Sequence, residues 1–167
     1  MAKILFMKYD FRKMKLLYLA SIVLFAPLGY VMAYSTENIL SAYSYMLLIS
    51  TIVPTSLFTY EQRADCGFDL MLPAKEGDRI AGRYLISAVT IIYEFLLGTV
   101  IAFILTKTTQ AVWFDISVIF KFFVGGILIC MSIELCILYI IGRGINPQVR
   151  SVMIMLPNMI IWGIASA

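Results

Sequence analysis

Residues 84–106 read YLISAVTIIYEFLLGTVIAFILT, a run whose one acidic or basic residue is Glu94, near its centre. A helix rises about 1.5 Å per residue, so roughly 20 apolar residues cross the ~30 Å hydrocarbon layer, and this stretch is long enough to do so. It lacks the period-two alternation of a barrel strand, and lipid offers an open strand no partners for its amides, which leaves the helix. Four further stretches meet or approach the same length: Leu16 to Tyr34, Ile39 to Tyr60, Ile116 to Ile141 and Ser151 to Ala167. The composition agrees, with 62% hydrophobic and 14% charged residues against roughly a half and a quarter in a soluble domain. The fold class is therefore all-α integral membrane, a single bundle of five visible transmembrane helices.

A secretory signal is the competing reading of the first stretch, because a basic segment precedes it and Val31-Met32-Ala33 resembles a small-residue cleavage site. It is read here as a first span. Basic residues in short loops are retained in the cytoplasm, and their distribution is lopsided. Lys3, Lys8, Arg12, Lys13 and Lys15 precede span one, Arg63, Lys75, Arg79 and Arg83 lie between spans two and three, and Arg143 and Arg150 lie between spans four and five. The opposite side holds Lys107, with Lys121 just inside span four and placed to snorkel outward. This predicts a multi-pass protein of the cell membrane with a cytoplasmic N-terminus.

Residues 1–15 are predicted to form an interfacial helix, with Ile4, Met7, Phe11 and Met14 on one side and Lys8, Arg12 and Lys15 on an adjacent one; a flexible basic tail is the alternative. Residues 61–83 form the largest polar segment, with nine charged side chains punctuated by Gly67, Pro73, Gly77 and Gly82. Pro73 is predicted to start a short helix there, and Phe68, Leu70, Met71 and Leu72 are too apolar for an idle linker. The fifth span ends at Ala167 without anchoring residues beyond it, from which a sixth span is expected in an unbroken chain.

A carboxyl group in hydrocarbon costs several kcal/mol unless protonated, paired or hydrated, so neither Glu94 nor Glu134 is expected to face lipid. Glu94 lies on a stripe with Ser87, Thr90, Gly98 and Ala102, and Glu134 on one with Gly126 and Cys130. Two readings remain open: acids lining a path for a cationic or polar substrate, or buried acids fixing helix contacts. Ser41, Ser44, Thr51, Thr55 and Thr59 with Pro54 in span two, and Pro157 and Asn158 in span five, either line a path or satisfy their own backbone. The absence of histidine and of CxxC spacing disfavours metal centres and His-activated nucleophiles. Cys130 and Cys136 lie about 9 Å apart along one helix, too far for a disulfide. No G-x-x-x-x-G-K-[ST] phosphate loop is present, so ATP hydrolysis by that device belongs to another polypeptide.

The run from Glu61 to Leu85, EQRADCGFDLMLPAKEGDRIAGRYL, resembles the first cytoplasmic loop of small bacterial ABC-2 permeases: an acid after span two, an LP step, a short polar helix, then a basic residue and YL opening span three. The resemblance implies a six-span permease working with a second permease copy, homo- or heterodimeric, and two cytoplasmic ATP-binding subunits that hold ATP and magnesium, with no cofactor in this chain. It implies that Leu70, Met71, Leu72, Pro73, Lys75, Glu76, Gly77, Asp78 and Arg79 form or flank a coupling helix docked on the ATPase. It further implies a central translocation path in the plasma membrane of a bacterium, for which the intramembrane stripe offers Ser87, Thr90, Glu94 and Glu134 as candidate lining. Among such permeases the chain is most similar to Gram-positive exporters of amphipathic peptides, including phenol-soluble modulins. Nucleic acid is not an expected partner. The competing classes are a membrane-embedded lipid-modifying enzyme or protease using Glu94, Glu134 or Asp69, and a scaffold that acts through helix contacts alone.

Overall fold

The computed structural model describes residues 2–50, 75–109 and 115–141, and singly residues 149, 152, 156 and 160. Helix α1 (Ala2–Ala20) runs through a π turn (Ser21–Phe25) into α2 (Ala26–Thr36), with right-handed helical geometry at both joins. Pro27 gives the physical reason for the wide turn. It has no N–H for a carbonyl four or five residues back, so the helix loses regular bonding there and Ala26 N–H closes on Ser21 O instead. The rod stops at Glu37, which adopts a left-handed conformation (φ 50°), and Asn38 Oδ1 accepts from Leu40 N–H at 2.9 Å to start α3 (Ile39–Ser50).

Helix α4 (Glu76–Thr108) follows, then α5 (Ile116–Ile119), a second π turn (Phe120–Val124) and α6 (Gly125–Ile141). Asp115 caps α5 by accepting from Ser117 N–H at 2.9 Å. The described residues contain no strand.

Two boundaries differ from the sequence expectation. The interfacial helix of residues 1–15 is not separate from the first span, because α1 passes through Lys15 and Leu16 unbroken. The short helix expected over residues 73–82 is, from Glu76 on, the opening of α4 and continuous with the span expected from Tyr84. In both cases charged residues extend a helix that apolar residues carry into the bilayer, and nothing between them breaks backbone hydrogen bonding.

Met7–Thr36 (30 residues) and Gly77–Thr108 (32 residues) are long and apolar enough to cross a membrane. Only 22% and 44% of their most apolar windows is buried, which differs from the core helix of a soluble protein. Leu16, Val23, Leu24, Val31, Leu96 and Phe103 all stand largely exposed along them. Val152, Leu156 and Ile160, spaced four apart, are also helical and exposed. Each long helix exceeds the ~20 residues a bilayer needs by about ten, and that surplus holds the charged turns.

Side-chain contacts fix the helix directions. Tyr18 meets Thr90, Ser21 meets Glu94 and Tyr30 meets Thr108, so the α1–α2 rod and α4 run parallel. Helix α3 returns between them, Gly29 lying against Tyr45 and Gly98 against Tyr43. Helix α6 is antiparallel to α4: Phe95 stacks edge-on against Phe120 at 5.4 Å, and Tyr84 OH lies 3.4 Å from Ser132 O. The shared core contains Ala33, Tyr43, Met46, Leu47, Ile91, Phe95, Leu105, Ile127 and Met131. This topology brings the basic start of α1 and the charged start of α4 to one end of the molecule.

Candidate functional site

The lower half of the α1–α4 contact is a polar seam built into an apolar interface. Asp10, Met14, Tyr18 and Ser21 recur at spacings of four, four and three on one side, and Arg83, Ser87, Thr90 and Glu94 at four, three and four on the other. Both series are the period of a single helix face, so parallel helices bring them level. All eight are buried.

At the base, Arg83 Nε lies 3.9 Å from Asp10 Oδ2, two buried charges that neutralise each other. One turn on, Met14 and Ile86 pack together with Tyr18. Thr90 Oγ1 donates to Ile86 O at 2.7 Å, which commits its proton, so Tyr18 OH donates to Thr90 across the 2.6 Å contact. Tyr93 OH in turn donates to Tyr18 O at 3.0 Å, with the two rings edge to face at 5.4 Å. Ser87 Oγ donates to Arg83 O within its own helix.

Glu94 is wholly buried at the top of the seam. Its Oε1 lies 2.7 Å from Ser21 Oγ, the first residue of the π turn, and its Oε2 makes no hydrogen bond among the described residues. The Ser21 hydroxyl also lies 3.2 Å from Leu17 O. The site therefore presents a carboxyl at mid-helix depth whose one hydrogen-bond partner among the described residues is the Ser21 hydroxyl.

The sequence stripe Ser87, Thr90, Glu94, Gly98 and Ala102 is buried throughout but serves two neighbours. Thr90 and Glu94 face the α1 rod. Gly98 faces α3, where a Cβ would stand 3.1 Å from the Tyr43 ring, and Tyr43 OH donates to neighbouring Thr99 at 3.1 Å. Glu134 is buried on α6 beside Leu135 and Met131. The antiparallel register sets it level with Tyr84 and Ile86, roughly 14 Å along the axis from Glu94, so the two acids belong to different depths.

The remaining candidates fall at the charged end or beyond the described residues. Lys75 is the extended residue that opens α4, Gly77 is exposed, and Asp78 and Arg79 are half-buried in the first turn. Glu76 is described in its backbone position only. Leu70, Met71, Leu72 and Pro73 lie outside the described residues, as do Thr51, Pro54, Thr55, Thr59, Asp69, Pro157 and Asn158. In α3, Ser44 is buried and Ser50 donates to Leu47 O, the self-satisfying pattern of hydroxyls in apolar helices.

Sequence reasoning missed Asp10, Tyr18, Ser21, Arg83 and Tyr93 as members of the seam. Of the apolar side expected for the interfacial helix, Ile4 and Phe11 are exposed, while Met14 joins Asp10 and Tyr18 on the side docked against α4. The usable signal was the matched polar spacing in the two helices.

A family model described as ABC-2 family transporter protein matches residues 5–167, nearly the whole chain. Neither curated proteins nor solved structures yield a match. The long helices with exposed apolar sides and this match agree on a membrane-embedded transport subunit. The chain belongs to the ABC-2 transporter family.

Proposed function

We propose that this chain is the permease half of an ATP-driven exporter of amphipathic peptides, working as a dimer of permeases with two copies of a separate ATP-binding subunit. The observation that carries the reading is the charged end: the parallel α1 and α4 extend about ten residues past the length that hydrocarbon accounts for, and do so side by side. Lys8, Arg12 and Lys15 from one helix and Lys75, Asp78 and Arg79 from the other stand there, on the cytoplasmic side in this reading. Residues 61–83 are the docking handle, with Leu70, Met71, Leu72 and Pro73 offering apolar contact and the charged turn from Lys75 to Arg79 a polar rim.

A push on the start of α4 passes into the bundle because α4 is one unbroken helix from Glu76 to Thr108. The Arg83–Asp10 pair links the same movement to α1. Separation of the α1–α4 seam during the cycle would turn Ser87, Thr90 and Glu94 toward a path, with Glu134 nearer its inner mouth. ATP and magnesium belong to the partner.

Affinity capture of the chain from its native membranes, with ATP hydrolysis measured on the captured complex, tests this. The wild type recovers an ATP-binding protein whose hydrolysis rises with amphipathic peptide. Combined charge reversal at Lys75, Glu76 and Arg79 lowers recovery or peptide stimulation at least tenfold. Undiminished recovery and stimulation in that variant would remove the docking assignment.

A further inference from the structure

The side of α1 turned away from the seam orders cationic and then apolar groups along the helix, a pattern that docking of an ATPase at the charged end does not require. Lys8, Arg12, Lys15 and Leu19 recur at spacings of four, three and four, which keeps them on one side of the helix, and all four are exposed. Ile22 and Val23 continue that side into the π turn, and with Leu19 they are each more than half exposed. The face is thus cationic for two turns and apolar for the next two.

Among the described residues no acid neutralises it. Asp10 is the one acid between Met1 and Thr36, and it is buried on the opposite side against Arg83. Lys8, Arg12 and Lys15 make no ion pair among the described residues. Lys13 is different: it lies off this face, 4.4 Å over the Tyr9 ring.

We propose that this face binds one anionic glycerophospholipid, its phosphate held by Lys8, Arg12 and Lys15 and its acyl chains laid along Leu19, Ile22 and Val23. The dimensions fit. From Lys15 to Val23 the helix rises about 12 Å, close to the ~15 Å depth of one leaflet's hydrocarbon. An acidic protein segment would match the three cations but not the exposed apolar groups that follow them at hydrocarbon depth. The site rests on the membrane-permease reading for its placement at the headgroup level. It concerns a different side of α1 from the one that meets α4, so the two stand apart experimentally.

Native mass spectrometry on the purified full chain, titrated with phosphatidylglycerol or phosphatidylcholine of identical acyl chains, tests it without any ATPase partner. The wild type retains phosphatidylglycerol in preference. Arg12→Gln weakens that preference about fivefold, and Lys8→Gln with Arg12→Gln and Lys15→Gln abolishes it, leaving phosphatidylcholine binding unchanged. Lys13→Gln keeps the wild-type preference. Equal affinity of the wild type for both lipids would overturn the site, and so would a Lys13→Gln loss as large as that of Arg12→Gln, which indicates diffuse surface charge. If the triple variant does not fold, the single Arg12→Gln and Lys13→Gln comparison decides. Binding that fails while ATPase capture succeeds refutes the lipid site alone.

Discussion

At the scale of single residues, the two readings of Glu94 make different demands on its neighbours. One oxygen is engaged by Ser21 and the other makes no hydrogen bond among the described residues, so the side chain is only half accounted for by packing. Tyr18, by contrast, is fully engaged: its hydroxyl donates to Thr90, its carbonyl accepts from Tyr93, and its ring stacks on Phe11 at 4.8 Å. Tyr18→Phe removes one hydrogen bond while Thr90 keeps its bond to Ile86 O, so thermal unfolding in detergent should show a loss of about 0.6–1 kcal/mol with export intact. Glu94→Gln retains the shape and a partner for Ser21, so stability should hold. On the path reading, peptide-stimulated ATP hydrolysis falls several-fold, and unchanged stimulation and export would return Glu94 to a packing role.

At the scale of helices, close approach depends on small residues at specific crossings. The α3–α4 crossing at Gly98 and Tyr43 leaves a Cβ 3.1 Å from the Tyr43 ring, and that ring is held by its hydroxyl bond to Thr99 and its packing on Phe95. Gly98→Val should therefore destabilise the folded chain by about 1–3 kcal/mol, measured by detergent unfolding, whereas Gly77→Ala at an open, exposed position should be near neutral. Much of this level was legible in the sequence. The apolar runs and the buried stripe from Ser87 to Ala102 both follow from period and residue size, which act locally. The continuity of α1 across Lys15 and of α4 across Arg83 was not legible, because a change from charged to apolar residues marks a change of solvent and not a break in hydrogen bonding. The seam partners were hidden for a related reason. Tyr18 and Ser21 look unexceptional in an apolar run, and their role exists only once Thr90 and Glu94 are set beside them.

At the scale of the whole molecule, sidedness decides whether the charged end can meet an ATPase. Parallel α1 and α4 with antiparallel α3 and α6 collect the starts of α1 and α4 at one end, and put the Glu37 turn and the end of α4 at the other. An exporter driven by a cytoplasmic ATPase requires the first of these ends to face inward. Gly77 is exposed with open space around a new side chain, and Glu37 is exposed at the opposite turn, so a cysteine at either position reports its side. The direct measurement is labelling by a membrane-impermeant maleimide of Gly77→Cys and Glu37→Cys, each in a chain with Cys66, Cys130 and Cys136 replaced by Ala. Gly77→Cys should react only in inverted vesicles and Glu37→Cys only in right-side-out vesicles, with the ATP-binding subunit shielding the former. Labelling of both positions from one side, or the reverse assignment, would contradict that sidedness.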